Sequence, residues 1–327
     1  MNNLNDFVAY FEDAFGEEIK KIGQKVPQKL YGPVAYSLTI GGKRLRPALM
    51  LHAASIFSKS FGHVLPAAMA IEIFHNFTLL HDDIMDKADI RRGLPTVHKK
   101  YNENVAILSG DAMSILAFRY FTGENDARLY ELLPLFTATA LEVCEGQQLD
   151  MDFESRDDVT VGEYLEMIRL KTAVLIAGSL KIGALLANAG KKDADLLYEY
   201  GFNIGLAFQL QDDWLDTFGD PDQFGKKIGG DICSNKKTYL LLKATEGSDP
   251  VMKEQLKHWL LKTDYDHEEK IAAITAIYDK TGVSDSTRDL MRKYYEKSLL
   301  ALEKVAIPAD QKKILIAFAG EATKRMK

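Results

Sequence analysis

The apolar residues of this chain recur with the period of an α-helix along almost its whole length. In the first segment Phe7, Phe11, Phe15, Ile19 and Ile22 follow one another at intervals of three or four residues. That spacing places them on one face of a helix, and the alternation typical of strands is nearly absent. The sequence therefore predicts an all-α fold.

Five segments are long enough to form the body of a helical bundle: 67–86, 105–121, 135–152, 173–189 and 193–218. Several are apolar on every side, which is typical of helices at the centre of a large bundle. Pro66 and Pro134 are predicted to open two of these helices, and Thr160 with Glu163 has the pattern of a capping box. Since no linker rich in Pro, Gly or Ser interrupts the chain, we predict one domain over residues 1–327.

Charge and composition exclude several classes of protein. The net charge of −6 disfavours binding to a polyanion, so a nucleic-acid partner is not expected. The two cysteines, Cys144 and Cys233, lack metal-ligand spacing and fit a reducing compartment. The N-terminus has no signal-peptide pattern, and the apolar stretch 172–189 contains Lys181, so we predict no transmembrane segment. We expect a cytoplasmic protein.

Two copies of an Asp-Asp-x-x-Asp motif end long apolar helices, one from Asp82 to Asp86 and one from Asp212 to Asp216. The first and last aspartates of each copy lie four residues apart and share a helix face. A solvated acidic helix end would explain one copy, but acids are unfavourable at the negative end of a helix. Two such pairs indicate a bound cation. Oxygen ligands favour Mg²⁺, which completes its coordination with water and substrate phosphates.

Basic residues that could bind phosphate cluster near these motifs. They form four patches, at Gly41–Pro47, at Arg91 and Arg92, at 225–231, and at Lys236 and Lys237. One patch alone is typical of a solvated loop, but four around two acidic motifs predict a diphosphate site.

His75 and the pair Lys171–Thr172 have two interpretations each. His75 lies two helical turns before Asp82 on the same face, so it is either a core residue or part of the site. Lys171 could extend its ammonium to solvent from an apolar helix. Beside Thr172, however, it also has the chemistry of a diphosphate and carbocation contact. The chain has no P-loop and no nucleophile elbow.

These motifs resemble those of the trans-isoprenyl diphosphate synthases, the family of farnesyl and geranylgeranyl diphosphate synthases. The resemblance covers residues from about 35 to 245 and is carried by His81–Asp86, Phe208–Asp216 and Gly42–Pro47. It implies the isoprenoid synthase fold, a single large helical bundle around a deep central cavity, in a homodimer with three Mg²⁺ per active site. It also implies a prenyltransferase that condenses isopentenyl diphosphate with an allylic diphosphate into a short-chain all-trans product of 15 to 20 carbons.

The resemblance also assigns residues. It implies metal ligands at Asp82, Asp86, Asp212 and Asp216, isopentenyl diphosphate contacts at Lys43, Arg46, His75 and Arg92, and allylic diphosphate contacts at Arg91, Lys171, Thr172, Gln209, Lys227 and Lys236. Lys227 is preferred to Lys226 because the run Lys-Ile-Gly-x-Asp-Ile then matches, with one extra residue in the preceding loop. Asp82, Asp212 and Lys171 would assist ionisation of the allylic substrate, while Thr172 and Gln209 would direct oxygen dipoles at the resulting cation.

Product length is expected to depend on the helix before the first motif. Helical side chains lean toward the N-terminus, so a prenyl tail held at Asp82 should descend past Thr78, Phe77 and Phe74. Phe77 lies about 7.5 Å below Asp82 at 1.5 Å per residue. It could be a plain core residue, but the resemblance favours a floor that stops the product at 15 or 20 carbons, with 20 slightly preferred.

One alternative is another enzyme, and two come from a different class of protein. A class I terpene cyclase shares the first motif, but its second metal motif is usually of the Asn-Ser-Glu type. A non-catalytic subunit of a heteromeric synthase would be expected to have lost a metal aspartate. A Ca²⁺-binding EF-hand needs a Gly and a distal Glu that neither motif supplies.

Overall fold

The computed structural model describes residues 1–123, 127–220 and 228–324. Within these ranges the regular elements are helices, apart from one short hairpin. In the hairpin Ile90–Arg91 pairs antiparallel with Leu94–Pro95, with Ile90 opposite Pro95 and Arg91 opposite Leu94. The predicted all-α class is confirmed.

The helices are numbered in chain order. They are α1 Leu4–Gly23, α2 Gln28–Thr39, α3 Leu45–Phe57, α4 Leu65–Met85, α5 Val97–Lys100, α6 Glu103–Thr122, α7 Ala127–Glu154, α8 Val161–Ile168, α9 Val174–Leu186, α10 Lys191–Phe218, α11 Gly230–Cys233, α12 Tyr239–Gly247, α13 Pro250–Leu261, α14 His267–Thr281, α15 Val283–Lys304 and α16 Ala309–Lys324. A 3₁₀ turn, Gly62–Val64, precedes α4, and a turn of π-helix, Arg169–Ala173, joins α8 to α9.

Three of the five predicted helices agree with the structure to within two residues at each end, and the other two differ. The segments 67–86, 105–121 and 193–218 agree with α4, α6 and α10, and the capping box of Thr160 and Glu163 opens α8. The prediction that Pro134 opens a helix is wrong, because Pro134 lies inside α7. Proline removes one backbone hydrogen bond, but the residues before it, such as Leu132 and Leu133, are good helix formers. Of the segment predicted over 173–189, Ala173 lies in the π-helix, 174–186 form α9, and 187–189 lie beyond the end of α9.

Contacts between Cα atoms group the described residues into two compact units. The first unit comprises Met1–Ala140, Gly178–Tyr198 and Val305–Ile314, and the second comprises Leu141–Ala177, Glu199–Lys304 and Leu315–Lys327. A single domain over residues 1–327 stays a prediction.

The core of the first unit forms where α1 packs on α2 and α3 and where α4 packs on α6. The five periodic residues of α1 from Phe7 to Ile22 are all buried, as their spacing predicts. Every residue of α4 from 67 to 74 is also buried. This matches the prediction that an apolar helix of this kind is central rather than peripheral.

Two hydrophobic clusters lie among the described residues of the second unit. One gathers Tyr164, Leu206, Leu210 and Met291, and the other is built on Leu240, Leu256, Ile274 and Ile277. The first cluster lies beneath α10, the helix that carries the second aspartate motif. The second cluster includes Ile232, so it supports α11 and the loop that follows it.

Two helical segments are long and apolar enough to cross a membrane by length and composition alone. They are Gly62–Met85 and Glu103–Thr122, whose most apolar windows are 56 % and 39 % buried within the protein. Core helices of globular proteins meet the same criterion, so neither is a clear transmembrane segment.

Candidate active site

The loop before α3 holds its basic residues in a left-handed turn. Gly41, Gly42 and Arg44 all have positive φ angles, of 88°, 147° and 47°. A Cβ atom on Gly42 would lie 2.6 Å from Nη1 of Arg92, whose guanidinium donates a hydrogen bond to the carbonyl of Gly41. Glycine at position 42 therefore brings Arg92 against the loop. The two basic patches that the sequence separates by about 50 residues become neighbours.

The side chains of Arg46 and His75 are in contact. Nη1 of Arg46 lies 3.1 Å from Nε2 of His75. Burial, followed by the charges of Arg46 and Arg92, holds the pKa of His75 well below its usual range. His75 is thus neutral and accepts a hydrogen bond from the guanidinium. Burial lowers the pKa of Arg46 to about 10, so Arg46 stays charged at neutral pH.

Arg44 is buried in contacts with the protein itself, unlike Lys43, which is exposed and is predicted to bind phosphate. Arg44 is 6 % exposed and donates to Oε1 of Glu72 at 2.5 Å and to the carbonyl of Leu38 at 2.7 Å. Nδ2 of Asn76 donates to the same Glu72 oxygen at 2.9 Å. This buried network anchors the loop on α4. Sequence reasoning missed Glu72 and Asn76, although a lone acid in an apolar helix was a signal.

The first aspartate motif divides into outer and middle residues. Asp82 is half-buried and Asp86 is exposed, while Asp83 is 4 % exposed. Nε of Arg91 lies 2.9 and 2.8 Å from the two oxygens of Asp83, and Nη2 adds a contact of 2.7 Å. The structure therefore places Arg91, predicted as a diphosphate contact, on the middle aspartate. We call Lys43, Arg46, His75, Arg91 and Arg92 the basic cluster.

In the second unit the π-helix presents Lys171 and Thr172. A Cβ atom on Gly146 of α7 would lie 2.3 Å from the backbone nitrogen of Lys171, and one on Gly205 of α10 would lie 2.6 Å from Cα of Ala173. The two glycines thus let α7 and α10 approach this turn closely. Turns of π-helix inside longer helices are frequent at functional sites, where they redirect side chains.

Both side chains of this turn have partners on the adjacent helices. Nζ of Lys171 lies 2.6 Å from Oδ2 of Asp150 on α7, and Oγ1 of Thr172 donates to Oε1 of Gln209 on α10 at 3.0 Å. The structure thereby places Thr172 beside Gln209, and both were predicted as allylic-side residues. Asp150 was missed, although it stands near the end of an apolar helix as the motif aspartates do.

The second aspartate motif repeats the division of the first. Asp212 is exposed, Asp216 is half-buried and Asp213 is 3 % exposed. The two oxygens of Asp213 accept from the hydroxyl of Tyr164 at 2.6 Å and from Nε2 of Gln209 at 2.9 Å. Burial raises the pKa of Asp213 above its usual value. In each motif the middle aspartate is enclosed and the outer two are more accessible.

Lys236 lies among carboxyl groups. Burial alone would lower its pKa, but Asp231, Asp213 and Asp150 offset this and raise the pKa above its usual value. Burial also raises the pKa of Asp231 to about 7, and its backbone NH donates to Asp216 at 2.9 Å. Sequence reasoning did not assign Asp231 a role. Lys226 and Lys227 lie outside the described residues.

We define the acidic cluster as five aspartates near the second motif, together with two lysines that interact with them: Asp150, Asp212, Asp213, Asp216, Asp231, Lys171 and Lys236. Five carboxyl groups surround two ammonium groups, so a divalent cation would reduce the repulsion among them.

The donor chemistry suits Mg²⁺. Within the described ranges no three acidic, His or Cys side chains already converge as a ready-made metal site. Mg²⁺ does not need one, because it commonly takes one or two carboxylates and completes its octahedron with water and substrate phosphates. Asp82 and Asp86 in the first unit, and Asp212 and Asp216 in the second, supply such pairs.

Comparison with known proteins identifies the class. A family profile described as polyprenyl synthetase matches residues 27–278. The geranylgeranyl diphosphate synthase of Methanosarcina mazei is 47 % identical over 222 residues, 67 % of this chain and 68 % of the relative. The geranylfarnesyl diphosphate synthase of Natronomonas pharaonis is 44 % identical over 67 % of this chain and 70 % of its own length.

A crystal structure of a geranylgeranyl pyrophosphate synthase superposes with a TM-score of 0.92, at 46 % identity and with 99 % of each chain covered. The chain belongs to the polyprenyl synthetase family, the trans-isoprenyl diphosphate synthases. The predicted family and its all-α isoprenoid synthase fold are confirmed.

Proposed function

We propose that this protein condenses isopentenyl diphosphate head-to-tail with an allylic diphosphate and releases an all-trans prenyl diphosphate of 20 carbons. Membership of the family makes the chain a trans-prenyltransferase. The class I cyclase alternative has no use for the second anion site that the basic cluster provides. The non-catalytic alternative conflicts with the complete set of motif aspartates.

The observation that supports the proposal is the crowding of positive charge at Arg46 and Arg92 beside His75. Nε of Arg46 is buried without a hydrogen-bond partner in the described structure. Burial, followed by the charges of Arg44 and Arg91, lowers the pKa of Arg92. Guanidinium groups that repel one another are stabilised by a bound dianion, and their forked geometry matches phosphate oxygens. We therefore assign Lys43, Arg46, His75 and Arg92 to isopentenyl diphosphate.

The allylic diphosphate is assigned to the lysines of the acidic cluster, to Arg91 and, outside the described residues, to Lys227. Mg²⁺ held by Asp82, Asp86, Asp212 and Asp216, three ions in all, would supply positive charge to the diphosphate and so make it a better leaving group. Lys171 and Lys236 add fixed positive charge beside the departing oxygen. Thr172 and Gln209 present oxygen atoms where the allylic carbon becomes positive.

Condensation then follows from positioning. Lys43, Arg46, His75 and Arg92 would hold isopentenyl diphosphate for attack by its double bond on the allylic cation, which replaces a bimolecular encounter by an oriented one. A carbon–carbon bond forms, and the released diphosphate accepts the proton that the adduct loses.

The test is a product assay with the purified chain, Mg²⁺ and labelled isopentenyl diphosphate. Dimethylallyl, geranyl and farnesyl diphosphate are supplied in turn, and the products are dephosphorylated and separated by chain length. We expect incorporation with each starter and a 20-carbon end product. Cyclic hydrocarbons from one allylic substrate would support a cyclase instead, and no turnover with any starter would support a non-catalytic subunit.

We further propose a homodimer and a cytoplasmic location. The first is supported by a face of α6 on which Ile107, Leu108 and Ile115 are 41 %, 59 % and 69 % exposed. Large exposed apolar side chains grouped on one helix are typical of protein interfaces. The second rests on the two free cysteines.

A further inference from the structure

A chain of three hydrogen bonds runs through the second unit to the residues proposed to face the allylic cation. The hydroxyl of Tyr164 donates to Oδ2 of Asp213 at 2.6 Å. Nε2 of Gln209 donates to Oδ1 of Asp213 at 2.9 Å, and Oγ1 of Thr172 donates to Oε1 of Gln209 at 3.0 Å. Of these four residues, Tyr164 and Asp213 have no part in the proposed function.

The chemistry of the chain determines which end of the Gln209 amide faces outward. Both oxygens of Asp213 accept hydrogen bonds, one from Tyr164 and the other from Gln209, so the NH₂ group of Gln209 is the end that meets Asp213. The carbonyl oxygen then points the other way, toward Thr172. The two ends of an amide have nearly the same shape, and a flip costs little without such a partner. Asp213 therefore determines that the negative end of the Gln209 amide dipole, its carbonyl oxygen, faces Thr172.

Tyr164 holds Asp213 in the orientation that this requires. Its side chain is 1 % exposed, and burial, with the neighbouring Asp213 carboxylate, raises the pKa of the hydroxyl well above its usual value. It thus remains a donor. Tyr164 packs in the same hydrophobic cluster as Leu206 and Leu210, one on either side of Gln209 in sequence. The phenol occupies one carboxylate oxygen and leaves the other for the amide.

We propose that Tyr164 and Asp213 are positioning residues that keep the carbonyl oxygen of Gln209 turned toward the developing allylic cation. The inference rests on the proposed function. When the allylic carbon–oxygen bond breaks, its electron pair leaves with the diphosphate and the allyl group becomes positive. An amide oxygen stabilises that charge, whereas a flipped amide would direct its NH₂ group at the cation and oppose ionisation.

The first test is Tyr164→Phe, which removes one hydroxyl and leaves all motif carboxylates in place. We expect kcat to fall about tenfold, as for loss of one hydrogen bond to a charged group, with the KM for isopentenyl diphosphate changed less than about twofold. The slow hydrolysis of the allylic substrate in the absence of isopentenyl diphosphate should fall by the same factor, because it also begins with ionisation. Tyr200→Phe is the control: Tyr200 is fully buried in the same unit and donates to the carbonyl of Leu315 at 2.7 Å.

A double-mutant cycle separates orientation of the amide from general support of the fold. In a Gln209→Ala background no amide remains to be oriented, so Tyr164→Phe should have no further effect on allylic hydrolysis. Asp213→Asn, which can itself donate to the amide oxygen, provides a second cycle if Tyr164→Phe does not fold. The inference would be overturned if Tyr164→Phe slowed allylic hydrolysis equally in both backgrounds, or if Tyr200→Phe lost as much activity. A change confined to the KM for isopentenyl diphosphate would also overturn it. Absence of condensation by the unmodified protein would overturn the proposed function instead.

Discussion

At the scale of single residues, the aspartates of each motif differ in what surrounds them. Asp83 is bound by Arg91, and Asp213 by Tyr164 and Gln209, whereas the outer aspartates are more accessible. Spacing alone predicts that residues four apart share a helix face. It does not show that the middle residue is enclosed, because its partners come from other elements.

Replacing the outer aspartates should abolish catalysis while the fold persists. For Asp82→Ala or Asp212→Ala we expect kcat to fall by on the order of 10³-fold, since each removes a proposed ligand of the Mg²⁺ that stabilises the departing charge. Turnover at saturating Mg²⁺ measures the loss, and circular dichroism checks the fold. Near-normal turnover in either variant would remove the metal assignment.

The middle aspartate of the first motif should behave differently. Asp83→Ala leaves the guanidinium of Arg91 without its bidentate partner, so we expect about 2 kcal/mol of lost stability in addition to any loss of activity. Urea denaturation measures this. Asp82→Ala is the matched control and should change stability by much less. Equal stabilities for the two variants would show that the Arg91 pair contributes little.

The adjacent arginines should separate the two substrates. Arg92 lies against the loop of Lys43, whereas Arg91 is bound to Asp83. We therefore expect Arg92→Ala to raise the KM for isopentenyl diphosphate and Arg91→Ala to affect mainly the allylic substrate, each by about tenfold. Steady-state kinetics with each substrate varied in turn checks this. If both variants weakened both substrates equally, these assignments would be wrong.

Candidate site residues that belong to a sequence motif could be predicted from the sequence. The residues that hold those side chains in place could not. Lys43, Arg46 and His75 follow from the basic loop and the helix period. Glu72 and Tyr164 act through partners 28 and 49 residues away in the chain, and such contacts exist only after folding.

At the scale of elements, the sequence predicts continuous helices better than their interruptions. The helical spacing of apolar residues predicts both ends of α4, α6 and α10 to within two residues. The π-helix at Arg169–Ala173 has no such signal. It depends on Gly146 and Gly205, which bring α7 and α10 close to it and stand far from it in sequence.

Product length is also expected to depend on one element, α4, because this helix carries a series of aromatic rings on the N-terminal side of the first motif. The ring of Phe77 lies 4.9 Å from that of His81 and 5.5 Å from that of Phe74, and Phe74 in turn contacts Phe136 at 5.9 Å. Removing only the upper ring exposes the next. Phe77→Ala should therefore lengthen the product by one isoprene unit, at a cost of about 3 kcal/mol in stability.

Chromatography of dephosphorylated products from the two proteins measures that change. Phe74→Leu alone, deeper in the series, should leave the main product unaltered. An unchanged chain length in a folded, active Phe77→Ala variant would mean that another residue stops elongation.

At the scale of the whole molecule, buried histidines make stability depend on pH. His52 is 3 % exposed against the ring of Phe7, and burial lowers its pKa to about 4. The unfolded chain, with a histidine pKa near 6.5, binds the proton first as the pH falls. Stability from His52 is therefore present above about pH 6.5 and lost between there and pH 4, by about 3 kcal/mol.

Denaturant unfolding across that pH range checks this expectation. His52→Leu should unfold with a weaker pH dependence, although His75 contributes in the same direction. His267→Gln, at an exposed position, should keep the pH dependence of the unmodified protein. An unaltered slope in His52→Leu would contradict the assignment.

The last prediction concerns assembly, which depends on surface rather than core. Leu108 and Ile115 lie seven residues apart on one face of α6 and are 59 % and 69 % exposed. A charge there disrupts an apolar interface but leaves the interior of a subunit unchanged, so Ile115→Glu should convert a dimer into folded monomers. Light scattering after size exclusion measures the mass. Val251→Glu, at a position 67 % exposed on α13, is the control and should remain dimeric. A dimer that persists in Ile115→Glu and Leu108→Glu would mean that the subunits associate through another surface, since no apolar contact tolerates a carboxylate buried without a partner.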